Sequence, residues 1–253
     1  METDDATLAQ VALDGWEDLA GLDVLVGQLL EAPTSTHGLR RALRGLRREI
    51  GVFQAHRAGC EDLPERITAR RVQLGGGSRL LPGFVNIDII PPADVIFDVR
   101  EGLPIVDGET EFIFAEHFLE HIDYPVSVKR VIAECYRVLQ PDGQLVLGVP
   151  DAGMIIDAYV DSDPDIRERM MEEWYANRDD RAHFNTYLDL VNYVFRDQDD
   201  SDRYTPHLWA YDLDKLVSLC AEAGFRKVEP WPHDPTIANP DRAWGSVYTV
   251  AYK

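Results

Sequence analysis

The chain reads as an α/β protein, a doubly wound and mostly parallel sheet with a helical extension ahead of it and a lid insert after its fifth strand. Three observations predict this. From residue 71 onward, brief β-branched or aromatic runs ending in polar residues alternate with helical stripes, as buried parallel strands joined by helices do. The first of those runs ends in a glycine triplet. Residues 1–68 carry only helical periodicity.

In the N-terminal extension, residues 1–68, apolar residues recur at three- and four-residue steps through Leu8, Val11, Ala12 and Trp16, then Leu22, Val24, Leu25, Leu29 and Leu30. Pro33 breaks the pattern, and Ser35 or Thr36 can cap a second helix with apolar face Leu39, Leu43, Leu46, Ile50 and Phe53. Its other face carries Arg40, Arg41, Arg44, Arg47 and Arg48, the one basic cluster, which is either solvated, paired with acids, or a dock for an anionic group. The main domain, residues 69–253, opens with RVQLGGGS and continues through VNIDII, ADVIFDV, EFIFAEHFLEHI and QLVLGVPD, each a strand. A helix with Val126, Val128, Val131, Ile132, Cys135, Val138 and Leu139 as its stripe precedes the last of these, with Pro141-Asp142-Gly143 as a turn. YDLDKLVSLCAEAGF is a later helix stopped by Gly224, and runs around Val228 and at SVYTVAY close the chain as an antiparallel finish.

Residues 152–206 interrupt the alternation. Asp151 to Asp202 hold 15 acidic residues against five arginines, with Trp174, Tyr175, Phe184, Tyr187, Tyr193 and Phe195 among them. An insert at the carboxyl end of a strand lies at the ligand-binding edge of such a sheet and suits a lid over substrate.

Composition excludes several classes. A net charge of −20 and a pI near 4.6 disfavour nucleic acid and anionic membranes as partners. No basic, apolar leader opens the sequence and no run approaches the roughly 18 apolar residues of a membrane span, so a cytoplasmic location is expected. Cys60, Cys135 and Cys220 are few and far apart, which suggests buried free thiols in a reducing compartment.

Four segments carry chemistry. Leu74-Gly75-Gly76-Gly77-Ser78 is a glycine turn after a strand, but Leu80 stands where a dinucleotide fingerprint needs its third glycine, and no GKS or GKT follows. Asp88, followed by Ile89, ends the second strand, where a carboxylate can accept ribose hydroxyls. It follows Gly77 too closely for the roughly 20 residues a dinucleotide fold spends there, so the first crossover helix is very short or replaced by a loop. Asp98-Val99-Arg100 offers an acid beyond the third strand that can accept from an adenine amino group. Glu116, His117 and His121 follow the fourth strand. The two histidines have metal-ligand spacing, but no third ligand is evident nearby and no metal is expected; an imidazole of ordinary pKa there suits general-base work.

These segments resemble the class I S-adenosylmethionine-dependent methyltransferases, in particular those of sugar, polysaccharide and natural-product pathways. LGGGSRLLPGFVNIDI is similar to that group's LGCGxxxxPGxxNxD opening, ADVIFDVREGLPIVDGETEFIFAEHFLEHI to its run through LPFxDxSFD to xxHxLEH, VIAECYRVLQPDGQLVLGVPD to ECxRVLKPGGxLxxxxPD, and HLWAYDLDKLVSLCAEAGF to the later H-x-W-x-Y segment. The resemblance implies a Rossmann-like methyltransferase fold, S-adenosyl-L-methionine as cofactor and S-adenosyl-L-homocysteine as product. It implies that Gly75 and Gly77 lie against the methionine part, that Asp88 holds the ribose, that Asp98, with Val99 and Arg100, meets the adenine, that Glu116 and His117 border the sulfonium, and that Leu74, Gly76 and Ile89 also belong to the cofactor-binding set. Gln73, Gly76 and Pro141-Asp142-Gly143 depart from the family pattern.

The expected reaction is methyl transfer to a hydroxyl or amine of a small polar acceptor, a hydroxyl being favoured, with a sugar or glycosylated natural product as the acceptor class. His117 is the first candidate base, His121 the second and His207 a third reaching in from the later segment, with Asp151 orienting a base or binding substrate. His183 and His233 are assigned to the surface or lid. Magnesium held by the Asp197–Asp202 run is weighed and set aside. The N-terminal helices are expected to cover the active site, to join two copies, or both. The competing reading is a catalytically silent cofactor-binding scaffold.

Overall fold

A computed structural model describes residues 19, 21–63, 65–175, 186–196 and 206–253. Leu8, Val11, Ala12, Trp16, His183, Phe184 and the Asp197–Asp202 run therefore lie outside the described residues. The chain divides into two units, residues 1–54 with 200–204, and residues 55–199 with 205–253.

The first unit holds α1, residues 21–31, and the start of α2 (His37–Asp62). Thr36 is the cap of α2, its hydroxyl accepting from the Leu39 N–H, while the Ser35 hydroxyl donates instead to the Leu29 carbonyl. The end of α1 leaves carbonyls without helical partners, and Arg40 donates to two carbonyls there, Leu30 at 3.3 Å and Ala32 at 3.1 Å. Arg47 pairs with Asp23 at 3.2 Å. The basic face is thus partly spent inside the hairpin. The expected apolar face is only partly covered, with Leu43 and Ile50 buried but Leu39 and Leu46 exposed.

The second unit is built on one seven-stranded sheet. Its strands are β1 (Arg71–Leu74), β2 (Val85–Asp88), β3 (Val95–Ile96), β4 (Thr110–Glu116), β5 (Leu139–Pro150), β6 (Lys227–Pro230) and β7 (Ser246–Tyr252). The order is β3-β2-β1-β4-β5-β7-β6, parallel from β3 to β5, with β7 antiparallel to both its neighbours. Helices α3 (Val126–Val138) and α7 (Leu213–Ala223) pack on it. This is the doubly wound α/β architecture expected, with the antiparallel finish inserted between β5 and β6. Val72, Ile113 and Leu145 sit at the centre with no exposure. Val72 pairs with Val85 on one side and Ile113 on the other.

Sequence pattern explains the helices and marks two differences. Val128, Val131, Ile132, Cys135 and Val138 of α3 are buried, but Val126 begins the helix and is exposed, and Leu139 already belongs to β5. Pro141-Asp142-Gly143 is a bulge within β5 and not a turn ahead of it. Leu139 pairs with Thr110 and Gln144 with Phe112, so the extra residues on β5 loop out through Asp142, which takes a left-handed φ of 64°. Asp212 caps α7 by accepting from the Lys215 N–H, and Gly224 ends it at φ 104°. Cys135 and Cys220 are the buried thiols expected, and burial pushes the Cys220 thiol up to about 12, which keeps it inert. Among the described residues no helix is long and apolar enough to cross a membrane.

Two contacts fasten the sheet. The end of α2 covers the β3 edge so closely that a Cβ on Gly59 would stand 1.9 Å from the Ile96 carbonyl oxygen, and His56 accepts from the Asp98 N–H at 3.2 Å. On α3, Arg137 donates to the carbonyls of Leu103 and Ile105 at 2.8 and 2.9 Å and pairs with Glu134 and Asp107, while Glu134 accepts from the Leu103 N–H at 2.8 Å. The guanidinium holds the Glu134 carboxyl below the usual carboxylate range. Together they fix the loop that leads into β4. Arg137→Ala should lower stability by about 2–3 kcal/mol, since charge-assisted bonds to two carbonyls are lost at once. Calorimetry should show a drop in melting temperature of about 4–10 °C for a chain of this size; an unchanged transition would show that the loop is held by its apolar residues alone.

Candidate functional site

Parallel strands on either side of the β1–β4 boundary send their crossovers in opposite directions, and the crevice at their carboxyl ends is where such sheets take ligands. The glycine turn follows β1 directly into that crevice. Gly75 and Gly77 adopt φ of 64° and 54°, which glycine alone takes without penalty. Gly75 is also sterically required, because a Cβ there would stand 2.1 Å from the Phe118 ring. Gly77 faces open space, with nothing within 4 Å of where its Cβ would be. The Gly77 N–H donates to Asp88 Oδ2 at 2.9 Å and the Ile90 N–H to Asp88 Oδ1 at 3.0 Å. Each carboxylate oxygen keeps a further lone pair, so Asp88 can hold the turn and still accept from two hydroxyls.

Other expected contacts are placed differently. The Leu74 and Val99 side chains are core residues, so only their main chain is left for a ligand. Ile89 is half-buried after Asp88. Asp98 caps a short 3-10 turn and its carboxylate is gripped by the Arg100 main-chain N–H and guanidinium at 2.8–3.0 Å, so the acid and base neutralise each other. Gly76 lies against Gln73, whose amide spans the turn by donating to the Arg79 carbonyl and accepting from the Leu81 N–H, both at 2.9 Å. Sequence reading noted Gln73 only as a departure; it braces the turn.

The carboxyl end of β4 carries the titratable groups. The Glu116 side chain turns toward the C-terminal segment, accepting from the Tyr248 hydroxyl at 2.7 Å and the Asn239 N–H at 3.0 Å, with Arg242 at 3.5 Å. Next to it His117 takes a left-handed φ of 49°, a conformation that costs a non-glycine residue about 1–3 kcal/mol and is commonest at functional sites. Its Nε2 meets Ser246 Oγ at 2.8 Å and its Nδ1 stands 3.8 Å from Glu120 Oε1. The imidazole does not keep the ordinary pKa expected of it. Burial, then the charge of Arg242 and the neighbouring His207 and His121, hold it well below the usual histidine range, so it is neutral at pH 7.

His207 does reach in. The Leu208 N–H donates to the Glu120 carbonyl at 2.8 Å, which lays the later segment on the turn after β4, and the His207 and His121 rings stand 4.9 Å apart. Glu120, His121 and His207 bring one ligand atom each within 4.8 Å of one another. The third ligand missing from the local sequence is thus supplied from far along the chain. Asp151 has an architectural duty, capping α4 (Ala152–Val160) by accepting from the Met154 N–H at 3.1 Å.

Beyond Asp151 the insert forms α4, α5 (Pro164–Tyr175) and α6 (Tyr187–Phe195), packed around Ile155, Met170, Leu190 and Val194. Between it and the start of α7 opens a groove of about 470 Å³ bordered by Asp151, Asp157, Asp161, Asp163, Asp212 and Asp214. It shares no lining residue with the glycine turn.

Residues 88–147, from Asp88 to the middle of β5, match the family model described as the methyltransferase domain. The matched stretch is 60 of the 253 residues. No curated protein sequence matches the chain. Among solved structures it is similar to a Thermotoga maritima methyltransferase described as a possible histamine N-methyltransferase, at 17% identity over 82% of this chain and 92% of that one, with a TM-score of 0.42. It is also similar to Burkholderia thailandensis 1,6-didemethyltoxoflavin-N1-methyltransferase, at 14% identity over 80% and 78%, with a TM-score of 0.40. An Archaeoglobus fulgidus methyltransferase gives 15% identity over 81% and 94%, with a TM-score of 0.43.

The two left-handed glycines separate sterics from backbone. Gly75→Ala meets both a ring and a positive φ and should cost about 2–4 kcal/mol, whereas Gly77→Ala meets only the φ and should cost about 1–2 kcal/mol. Urea denaturation of both variants checks this; equal losses would mean that Phe118 yields without cost.

Proposed function

We propose that the chain transfers the methyl group of S-adenosyl-L-methionine to a hydroxyl or amine of a small polar acceptor, with a sugar or glycosylated natural product as the acceptor class. The carrying observation is the glycine turn locked to Asp88 at the switch point, with the β4 histidines beside it. The residues fit the cofactor. Gly77 opens on free space and Asp88 retains acceptor capacity for a ribose. Neither phosphate-binding pattern is met, and a sulfonium cofactor carries no phosphate.

When bound, the cofactor supplies an electrophilic methyl on a sulfonium sulfur and is left as S-adenosyl-L-homocysteine. The chain's own work is then alignment, which can supply roughly 7–11 kcal/mol of the barrier, and removal of the acceptor's proton. His117 is the first proton acceptor in this reading, already neutral, with Nε2 oriented by Ser246; His121 is the second. Hydroxyl transfer is preferred because so many imidazoles gather at one strand end. The aspartate groove beside the site suits a cationic acceptor such as an amino sugar better than an anionic one.

Calorimetric titration with S-adenosylmethionine, S-adenosylhomocysteine and NAD tests the cofactor. Micromolar binding of the first two and none of the third is expected, and Asp88→Ala should weaken it at least about 100-fold, since two charge-assisted bonds to the ribose go with the carboxylate. Binding unchanged in Asp88→Ala would sink the assignment. His117→Ala should bind the cofactor as before and turn over at least about 100-fold more slowly. Full turnover in that variant would move the base elsewhere.

The same reading has two copies joined through the N-terminal helices, where Val24, Leu25, Leu29, Leu39 and Leu46 are exposed. Light scattering should give twice the chain mass, reduced to one by Leu25→Glu with Leu46→Glu; a monomeric parent protein would dismiss the idea.

A further inference from the structure

We infer that Glu120, His121 and His207 form a binding site for one divalent transition-metal ion of the zinc class. Two independent observations carry it. The first is convergence, since three groups of the right chemistry, one of them 86 residues downstream of its neighbour, place ligand atoms within 4.8 Å of one another. The second is the state of Glu120. Its side chain is 2% exposed, and neither carboxylate oxygen has a hydrogen-bond partner. A buried carboxylate without donors is costly, and the usual remedies are a proton, an ion pair or a metal.

The geometry selects a metal over a hydrogen-bonded pair. Glu120 Oε1 stands 3.8 Å from His117 Nδ1 and 4.0 Å from His121 Nε2, too far for hydrogen bonds. Ligands on a tetrahedral ion at about 2.0–2.2 Å lie roughly 3.3 Å apart, so the three groups, now within 4.8 Å of one another, need to close by up to about 1.5 Å. His207 is prepared for the task. Its Nδ1 lies 3.0 Å from the Val194 carbonyl, which can only accept, so Nδ1 carries the proton and Nε2 keeps its lone pair. A ring nitrogen held by a carbonyl while the other ligates is the usual outer arrangement of metal-binding histidines. Two imidazoles and one carboxylate favour zinc, iron, cobalt or manganese over magnesium and calcium, which prefer oxygen.

Position gives the ion a use, and this part rests on the methyl-transfer reading. Phe118, two residues before Glu120, packs on Gly75, so the cluster adjoins the glycine turn. The Tyr211 hydroxyl is a second buried polar group with no hydrogen-bond partner. Three protein ligands leave a coordination position open. An acceptor hydroxyl bound there would lose its proton to His117 more readily, and its oxygen lone pair would form the bond to the methyl carbon as the carbon–sulfur bond breaks toward sulfur.

The test uses the full chain. Elemental analysis of purified protein, and calorimetric titration of chelator-treated protein with zinc, manganese and magnesium chlorides, should give one transition-metal ion per chain and no saturable magnesium binding. Cobalt should give visible bands of a nitrogen- and oxygen-ligated ion. Glu120→Gln and His207→Ala should each weaken zinc by more than the roughly 10–100-fold that loss of an outer partner costs. His37→Ala, on the exposed start of α2, should bind as the parent does. Circular dichroism checks folding, and titration with S-adenosylmethionine is run alongside, so loss of cofactor binding is told apart from loss of metal. No saturable transition-metal binding by the parent, binding indifferent to both ligand variants, or preference for magnesium overturns the site.

Discussion

Burying carboxylates at the end of β4 is the constraint on which the rest of the site depends. Glu116 and Glu120 are both buried, in a chain already carrying a net charge of −20. Each needs positive or donating groups brought from elsewhere. Glu116 obtains them from Tyr248, Asn239 and Arg242, and this draws the segment before β7 over the carboxyl edge of the sheet. That segment in turn offers the Ile237 and Ala238 carbonyls to Arg79, at the far end of the glycine turn. One buried acid thus couples β4, the C-terminal segment and the turn. Glu120 obtains only imidazoles at a distance, and burial leaves its carboxyl pushed up to about 8.

Much of the fold was legible because its signals are local. The strand runs, the inner positions of the α3 stripe from Val128 to Val138 and the Gly224 stop depend on residues within a few positions of one another, and each appears where the pattern put it. The short spacing from Gly77 to Asp88 left room for a very short helix or a loop, and the connection is a loop. The Pro141-Asp142-Gly143 bulge was read as a turn because a turn and a bulge use the same residues; only pairing with β4 tells them apart.

The glycine turn and its partner Asp88 were legible, their electrostatic surroundings less so. Asp88 and the glycines were identifiable from position after a strand. That Asp98 would be occupied by Arg100, or that His117 would be held neutral, depends on burial, which no spacing rule reports. Ser246, Tyr248, Arg242 and Asn239 were missed for a related reason. They are ordinary residues that acquire roles because β7 inserts beside β5 and starts, at Ser246, opposite Pro150 at the carboxyl edge of the sheet.

The same physics accounts for the distribution of charge. A buried carboxylate gathers arginine and histidine around β4, while the insert concentrates aspartates on a groove that shares none of these residues. Asp157, Asp161, Asp212 and Asp214 on that groove are exposed, so water solvates them and no donor has to be brought to them. Glu116 has no such recourse, and its burial is what obliges Tyr248, Asn239 and Arg242 to converge on the end of β4.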